Sequence, residues 1–188
     1  KLYIGTPTRY SEARGSATDI TLIFSRAGGE FLRPFPGAWI NPGPDPARWG
    51  NRANYLAYNP VQTAPHELSF YHALSRVRYT LRTDGFVSLA AGCTPGEVLT
   101  RPLAYTGGRL EFNIVTSAFG SFAVELTDVA GKALAGYSFA ECDEFWGDRI
   151  AFHPTWKGRE AALAPGTVCR IRMRLVEADC YSMAFAAE

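Results

Sequence analysis

The sequence predicts an all-β protein whose larger part is an antiparallel, jelly-roll-like β-sandwich. Three observations carry that prediction. Short runs rich in β-branched and aromatic residues recur at roughly 8–12 residue spacing, the interval expected of a sandwich. Two of them, RVRYTLR at 76–82 and CRIRMRL at 169–175, alternate between apolar and mostly basic residues, as a strand with one wet face does. Helical signal is nearly absent, since no window beyond about ten residues spaces apolar side chains at three and four between caps.

In chain order, DITLIFS (19–25) reads as a strand followed by RAGGEF, a Gly-Gly turn of the kind that joins hairpin strands. Residues 33–65 then hold most of the twelve prolines. Proline fixes φ and donates nothing to a ladder, so this stretch is expected to be loop. ELSFYHA, RVRYTLR and GFVSLAA resume the strand pattern, and RLEFNIVTS, SFAVELTD, VCRIRMRLVEA and CYSMAFA continue it. ELTDVAGKALAGYS reads as a hairpin turning near Ala130 and Gly131. The shift in composition at RTDGF (82–86) marks a module boundary, with a Pro-rich β region over 1–82 and the sandwich over 83–188.

Composition bounds the function. Of 188 residues, 47% are hydrophobic and 13% aromatic, enough for a packed core. Nineteen basic against 18 acidic side chains leave a net charge of +1, with no run of Lys or Arg. That balance gives no electrostatic footprint for nucleic acid or an anionic membrane, and favours a neutral partner. No apolar stretch approaches the roughly 20 residues that span a bilayer, and KLYIGTPTRY lacks the regions of a signal peptide, so the chain is expected to be soluble. Extracellular and periplasmic locations both stay open. Cys93, Cys142, Cys169 and Cys180 form no Cys-x-x-Cys pair; they allow two disulfides, or free thiols with Cys169 and Cys180 as small buried hydrophobes on strands.

The chemically richest stretch is SFAECDEFWGDRIAF, which gathers Glu141, Cys142, Asp143, Glu144 and Asp148 around Phe145 and Trp146. Asp143, Glu144 and Asp148 are hard oxygen donors suited to a structural calcium ion, although their spacing is not that of an EF-hand. The alternative is a solvated connection with an aromatic packed beneath it. His66, His72 and His153 are scattered, with no partners for a metal site or hydrolytic triad.

RVRYTLRTDGFVSLAAG, GEVLTRPLAYTGGRLEFNIVTSAFGSFAVELTDVAGKALAGYSFAECDEFWGD, TWKG and VCRIRMRLVEADCYSMAF together resemble the C-terminal β-sandwich of bacterial proteins similar to glycoside hydrolase family 32. There the sandwich follows a five-bladed propeller. TPTRY, DITLIFSRAGGEFLRPF and RWGNRANYLAYNPVQTAPHELSFYH resemble the last part of that propeller, which makes residues 1–82 propeller-blade-like. FSRAGGEF is similar to a degenerate Asp-box turn with Ala27 in the Asp position. The resemblance implies a C-terminal fragment or a reduced protein, because a propeller needs far more chain than precedes the sandwich here. Of the family's three acidic motifs, the nucleophilic Asp and Arg-Asp-Pro do not occur, and Glu141-Cys142 imitates the third.

From this resemblance follows the expected function: a noncatalytic ancillary module of a carbohydrate-active protein, stabilising it or binding a glycan. Arg9, Asn54 and Arg52 would bond hydroxyls, while Trp49 and Tyr55 would stack on sugar rings. Other partners it leaves open are the rest of a propeller enzyme or another copy of the chain. The alternative is a glycoside hydrolase using carboxylates such as Asp19 or Glu141.

Overall fold

The computed structural model describes residues 2–186 and is all-β, with curled antiparallel sheets. Among the described residues the helical segments are two 3-10 turns, Glu12–Arg14 and Pro46–Arg48. The chain divides into two compact units, Lys1–Arg82 and Thr83–Glu188.

The first unit is assembled from short ribbons. β1 (Leu2–Gly5) pairs with β4 (Ile23–Arg26), and β2 (Thr8–Ser11) with β3 (Ala17–Ile20). β5 (Val61–Ala64), β6 (Glu67–Tyr71) and β7 (Arg78–Arg82) form a three-stranded meander. DITLIFS is thus not one strand. Ile20 turns to bridge Ile40 and Thr21 donates its amide to Pro7, whereas Ile23 pairs with Gly5 in a different ribbon. The Gly-Gly turn is closed by the Ser25 hydroxyl, which donates to the Gly29 carbonyl at 2.8 Å. Ile20, Leu22 and Phe70 are buried, and Trp39 meets Phe70 edge to face at 5.2 Å.

The Pro-rich stretch is mostly loop, as its lost ladder donors require, apart from the 3-10 turn Pro46–Arg48 and its last residues, which pair as β5. Buried Asn54 anchors it. Its amide nitrogen donates to the carbonyls of Thr18 and Arg48, and its oxygen accepts from Arg48 Nε. Arg48 reaches on to the Tyr79 hydroxyl at 2.7 Å, so one guanidinium ties the loop to β7.

The second unit is sandwich-like and built on two 19-residue strands, β11 (Arg109–Thr127) and β13 (Val168–Ala186), paired antiparallel. β8 (Leu89–Ala91), β9 (Gly96–Leu99) and the two-residue β10 (Leu103–Ala104) follow one another along the far edge of β13. β12 (Asp148–Phe152) pairs with part of β11. Along Cys169–Leu175 the burial alternates: Cys169, Ile171, Met173 and Leu175 face the core, and the arginines between them do not. Opposite them stand Phe122, Val124 and Leu126, and Phe112, Ile114 and Trp156 complete the same buried cluster.

Four expected strands have merged into two, and a large bulge explains how. Thr116 pairs with Ala178 and Ser121 with Val176, so residues 117–120 stand opposite Glu177 alone. A bulge of this size interrupts the ladder and bends the strand that carries it. Gly120 makes the bend feasible, because a Cβ on it would sit 2.5 Å from the Glu177 carbonyl oxygen and 2.6 Å from that of Val176. Glu177 itself adopts φ 41, with its amide donated to Gly92. The hairpin expected at Ala130 and Gly131 is present, with Thr127 bridging Ala133 and Asp128 accepting at its carbonyl from Gly131.

Removing a ring from the centre of this core leaves a cavity that the paired strands cannot collapse around. Phe122→Ala is expected to lower the unfolding free energy of the second unit by about 3–5 kcal/mol. Val168→Ala, at a half-exposed strand start, should change it by no more than about 0.5 kcal/mol. Urea denaturation followed by tryptophan fluorescence checks both, and similar losses for the two variants would contradict the assigned core.

Candidate functional site

An open cleft of about 610 Å³ lies in the first unit, walled by Arg9, Tyr10, Arg14, Asp19, Asn41 and Trp49 among others. The β2–β3 hairpin supplies most of it. Its register sets Arg9 directly opposite Asp19. The two side chains form a bidentate pair, Arg9 Nε to Oδ1 at 3.0 Å and Nη2 to Oδ2 at 2.6 Å. Arg9 Nη1 donates to the Pro36 carbonyl at 2.9 Å, which holds the fork in place. Hydrogen bonding to Asp19 pushes the already basic Arg9 guanidinium further up.

The hairpin turn is the 3-10 segment Glu12–Arg14, closed by Gly15 at φ 64, a left-handed position that costs glycine little. Beside it, Tyr10 is 44% exposed, shares a hydrogen bond with the Ser16 hydroxyl, and lies under the Arg52 guanidinium at 5.0 Å. The Ser16 bond, then Arg52, pull the Tyr10 hydroxyl below its ordinary pKa. Trp49 comes from the other wall. Asp45 caps the second 3-10 turn by accepting from the Ala47 amide, and the Trp49 indole N–H donates to the Gly43 carbonyl at 2.7 Å. The ring is anchored at that edge and remains 55% exposed.

Of the expected sugar contacts, Arg9 and Trp49 are on the cleft wall and Arg52 lies over one of its aromatic rings. Asn54 is not available: it is 1% exposed and its amide is engaged within the fold, as an anchor of the Pro-rich loop. Tyr55 is half-buried, is not on the wall, and its carbonyl accepts from Ala73. Tyr10, Arg14 and Asn41 complete the cleft and were not singled out from sequence. The signal for the first two was the symmetric hairpin TRYSEARGSATDI, whose ends face each other across a Gly turn.

The acid-rich stretch does different work. β11 exposes one edge beyond the reach of β12, and this stretch, together with Leu134, Tyr137 and Trp156 on either side of it, covers the edge piecewise. Phe122 exchanges both backbone hydrogen bonds with Phe145, at 2.8 and 2.9 Å. The Val124 amide donates to Cys142 Sγ and its carbonyl accepts from the Trp156 indole; Leu126 is paired with Leu134 and Tyr137. The carboxylates then staple the cover together. Glu141 accepts from the Ser138 hydroxyl at 2.9 Å and from Lys157 at 3.1 Å. Asp143 accepts from the Thr155 hydroxyl at 2.6 Å and the Gly158 amide at 2.7 Å.

Those bonds bear on chemistry. The Ser138 hydroxyl first, and Lys157 after it, hold Glu141 below the usual carboxylate range. A glycosidase acid needs the opposite shift, keeping its proton near neutral pH. Among the described residues no three His, Cys, Asp or Glu side chains are grouped to hold a metal, so Asp143, Glu144 and Asp148 do not converge as the calcium ligands expected of them. All four cysteines are free thiols, with Cys169 and Cys180 buried. Burial raises the Cys180 thiol to about 11. His72 is buried, accepts from the Ser75 amide and hydroxyl at Nδ1, and is held to its neutral form by burial and then by the Arg48 charge.

The Thr155 hydroxyl and Gly158 amide depress the pKa of Asp143, so its contribution to stability is present above the unfolded-state value and lost as pH falls through the folded one. Asp143→Asn is therefore expected to lower Tm at pH ~7 by an amount that stays constant down to about pH 4 and shrinks below it. Calorimetry across that range checks this, and a difference that does not depend on pH would contradict the staple.

No protein-family model, no curated protein and no solved structure matches the chain.

Proposed function

We propose that the chain is a noncatalytic, glycan-binding module of a carbohydrate-active protein, and that the cleft between the β2–β3 hairpin and Trp49 is its binding surface. One observation carries this. Exposed aromatic rings, Trp49 and Tyr10, share an open cleft with a rigid Arg9–Asp19 pair and Asn41. A pyranose has that same division, an apolar face for stacking and an edge of hydroxyls that both donate and accept. Arg9 and Asp19 fix each other, so a sugar meets them without a large cost in ordering side chains. The volume falls within the range of about 300–1,000 Å³ typical of small-ligand sites.

Binding without turnover is the expected behaviour. On a glycan array run with and without calcium, the protein should retain a subset of glycans equally in both conditions, and a reducing-end assay should show no released sugar. Trp49→Ala is expected to weaken binding to the best ligand by about tenfold or more, because stacking is lost. Trp146→Ala, which alters a 68% exposed ring in the other unit, should leave it unchanged. Loss on Trp146→Ala with none on Trp49→Ala would move the site out of the cleft.

A further inference from the structure

We propose that the cleft takes a saccharide bearing a carboxylate, with Arg14 as the group that receives it. This rests on the glycan-binding role proposed above and names its ligand class. The charges on the cleft wall are Arg9, Arg14 and Asp19. Both oxygens of Asp19 are engaged by Arg9, whose remaining terminal nitrogen is held by the Pro36 carbonyl, so this pair carries little net charge toward a ligand. Arg14 is different. It is exposed, and among the described residues its side chain has no hydrogen-bonding or ionic partner. Glu12, on the same 3-10 turn, is not part of the wall.

The position of Arg14 is not left to a loose loop. The Gly15 carbonyl accepts from the Asn51 amide at 3.2 Å, and the Ser16 carbonyl from the Arg52 amide at 2.8 Å. The turn carrying Arg14 is therefore bonded to the segment that immediately follows Trp49. A sugar ring stacked on Trp49 has an unpaired guanidinium within the same cleft, and a guanidinium fork matches a carboxylate with two parallel N–H···O bonds. A neutral hydroxymethyl group at that place leaves the cation without a charged acceptor. The net charge of +1 over the whole chain conceals this local excess, since it averages the cleft with the rest of the surface.

The test uses the full chain on an array of neutral, uronate-bearing and sulfated glycans. Calorimetric titration follows, with the strongest ligand and the same ligand after reduction of its carboxylates to hydroxymethyl groups. Carboxylated glycans should dominate the hits, and reduction should weaken binding by about tenfold or more, as expected for a charge-assisted pair. Arg14→Gln should produce the same loss on the carboxylated ligand and none on the reduced one, Arg14→Lys should recover part of it, and added salt should weaken only the carboxylated complex. Equal affinity for the carboxylated and reduced ligands would overturn the ligand class while leaving glycan binding intact. Hits confined to sulfated glycans would overturn the carboxylate assignment, and no glycan binding would overturn both proposals.

Discussion

The second unit depends on a single constraint: every amide along two 19-residue strands has to find a partner, since a buried backbone group left unpaired costs as much as a lost hydrogen bond. β13 meets it on both sides, with β11 along one edge and β8, β9 and β10 in relay along the other. β11 has no such relay. Phe122, Val124 and Leu126 are paired instead by Phe145, by Cys142 and Trp156, and by Leu134 and Tyr137, so the excursion after the strand is a substitute edge assembled from backbone, a thiol and an indole.

That constraint determines what the acid-rich stretch is for. Glu141 and Asp143 accept bonds that tie the cover to itself, from Ser138 and Lys157 and from Thr155 and Gly158. These bonds hold both carboxyls below the usual range, which does not suit a proton donor, and among the described residues no third acidic, His or Cys side chain joins them to cage a cation. Inside the same unit the Glu125 carboxylate, nearly fully buried, is satisfied by Arg172 at 2.8 Å and by the Phe139 amide, another charge used to hold the cover on the sheet. In the first unit the logic reverses. Arg9 and Asp19 are fixed by each other yet line an open cleft, and Trp49 is anchored by one edge with its ring exposed. Rigidity combined with exposure is what recognition asks of a side chain.

How much of this was legible in the sequence varies with the length scale of the interaction. The all-β class and the alternation of Cys169 to Leu175 follow from a period of two that neighbouring residues display directly. The hairpin at Ala130 and Gly131 is equally local. The merging of four runs into two strands was not readable, because it turns on Gly120 passing close to carbonyls of residues 176 and 177, a contact across more than fifty positions. Asn54 looked like a surface amide beside Trp49 and Tyr55, but its partner Thr18 lies 36 residues away, so its burial had no local sign. Arg9 and Trp49, picked out by residue type, share one cleft wall with Arg14, which had no mark in the sequence because an exposed Arg in a turn resembles any other until its neighbours prove to be paired.

If recognition belongs to the hairpin cleft and the acid-rich stretch is structural, a bound ligand is felt in the first unit alone. Backbone and indole NMR shifts during titration with the strongest array ligand test it most directly. Perturbations are expected at Arg9, Tyr10, Arg14 and the Trp49 indole N–H, with residues 138–148 unmoved. Shifts concentrated at Asp143, Glu144, Trp146 and Asp148, with the hairpin silent, would contradict it.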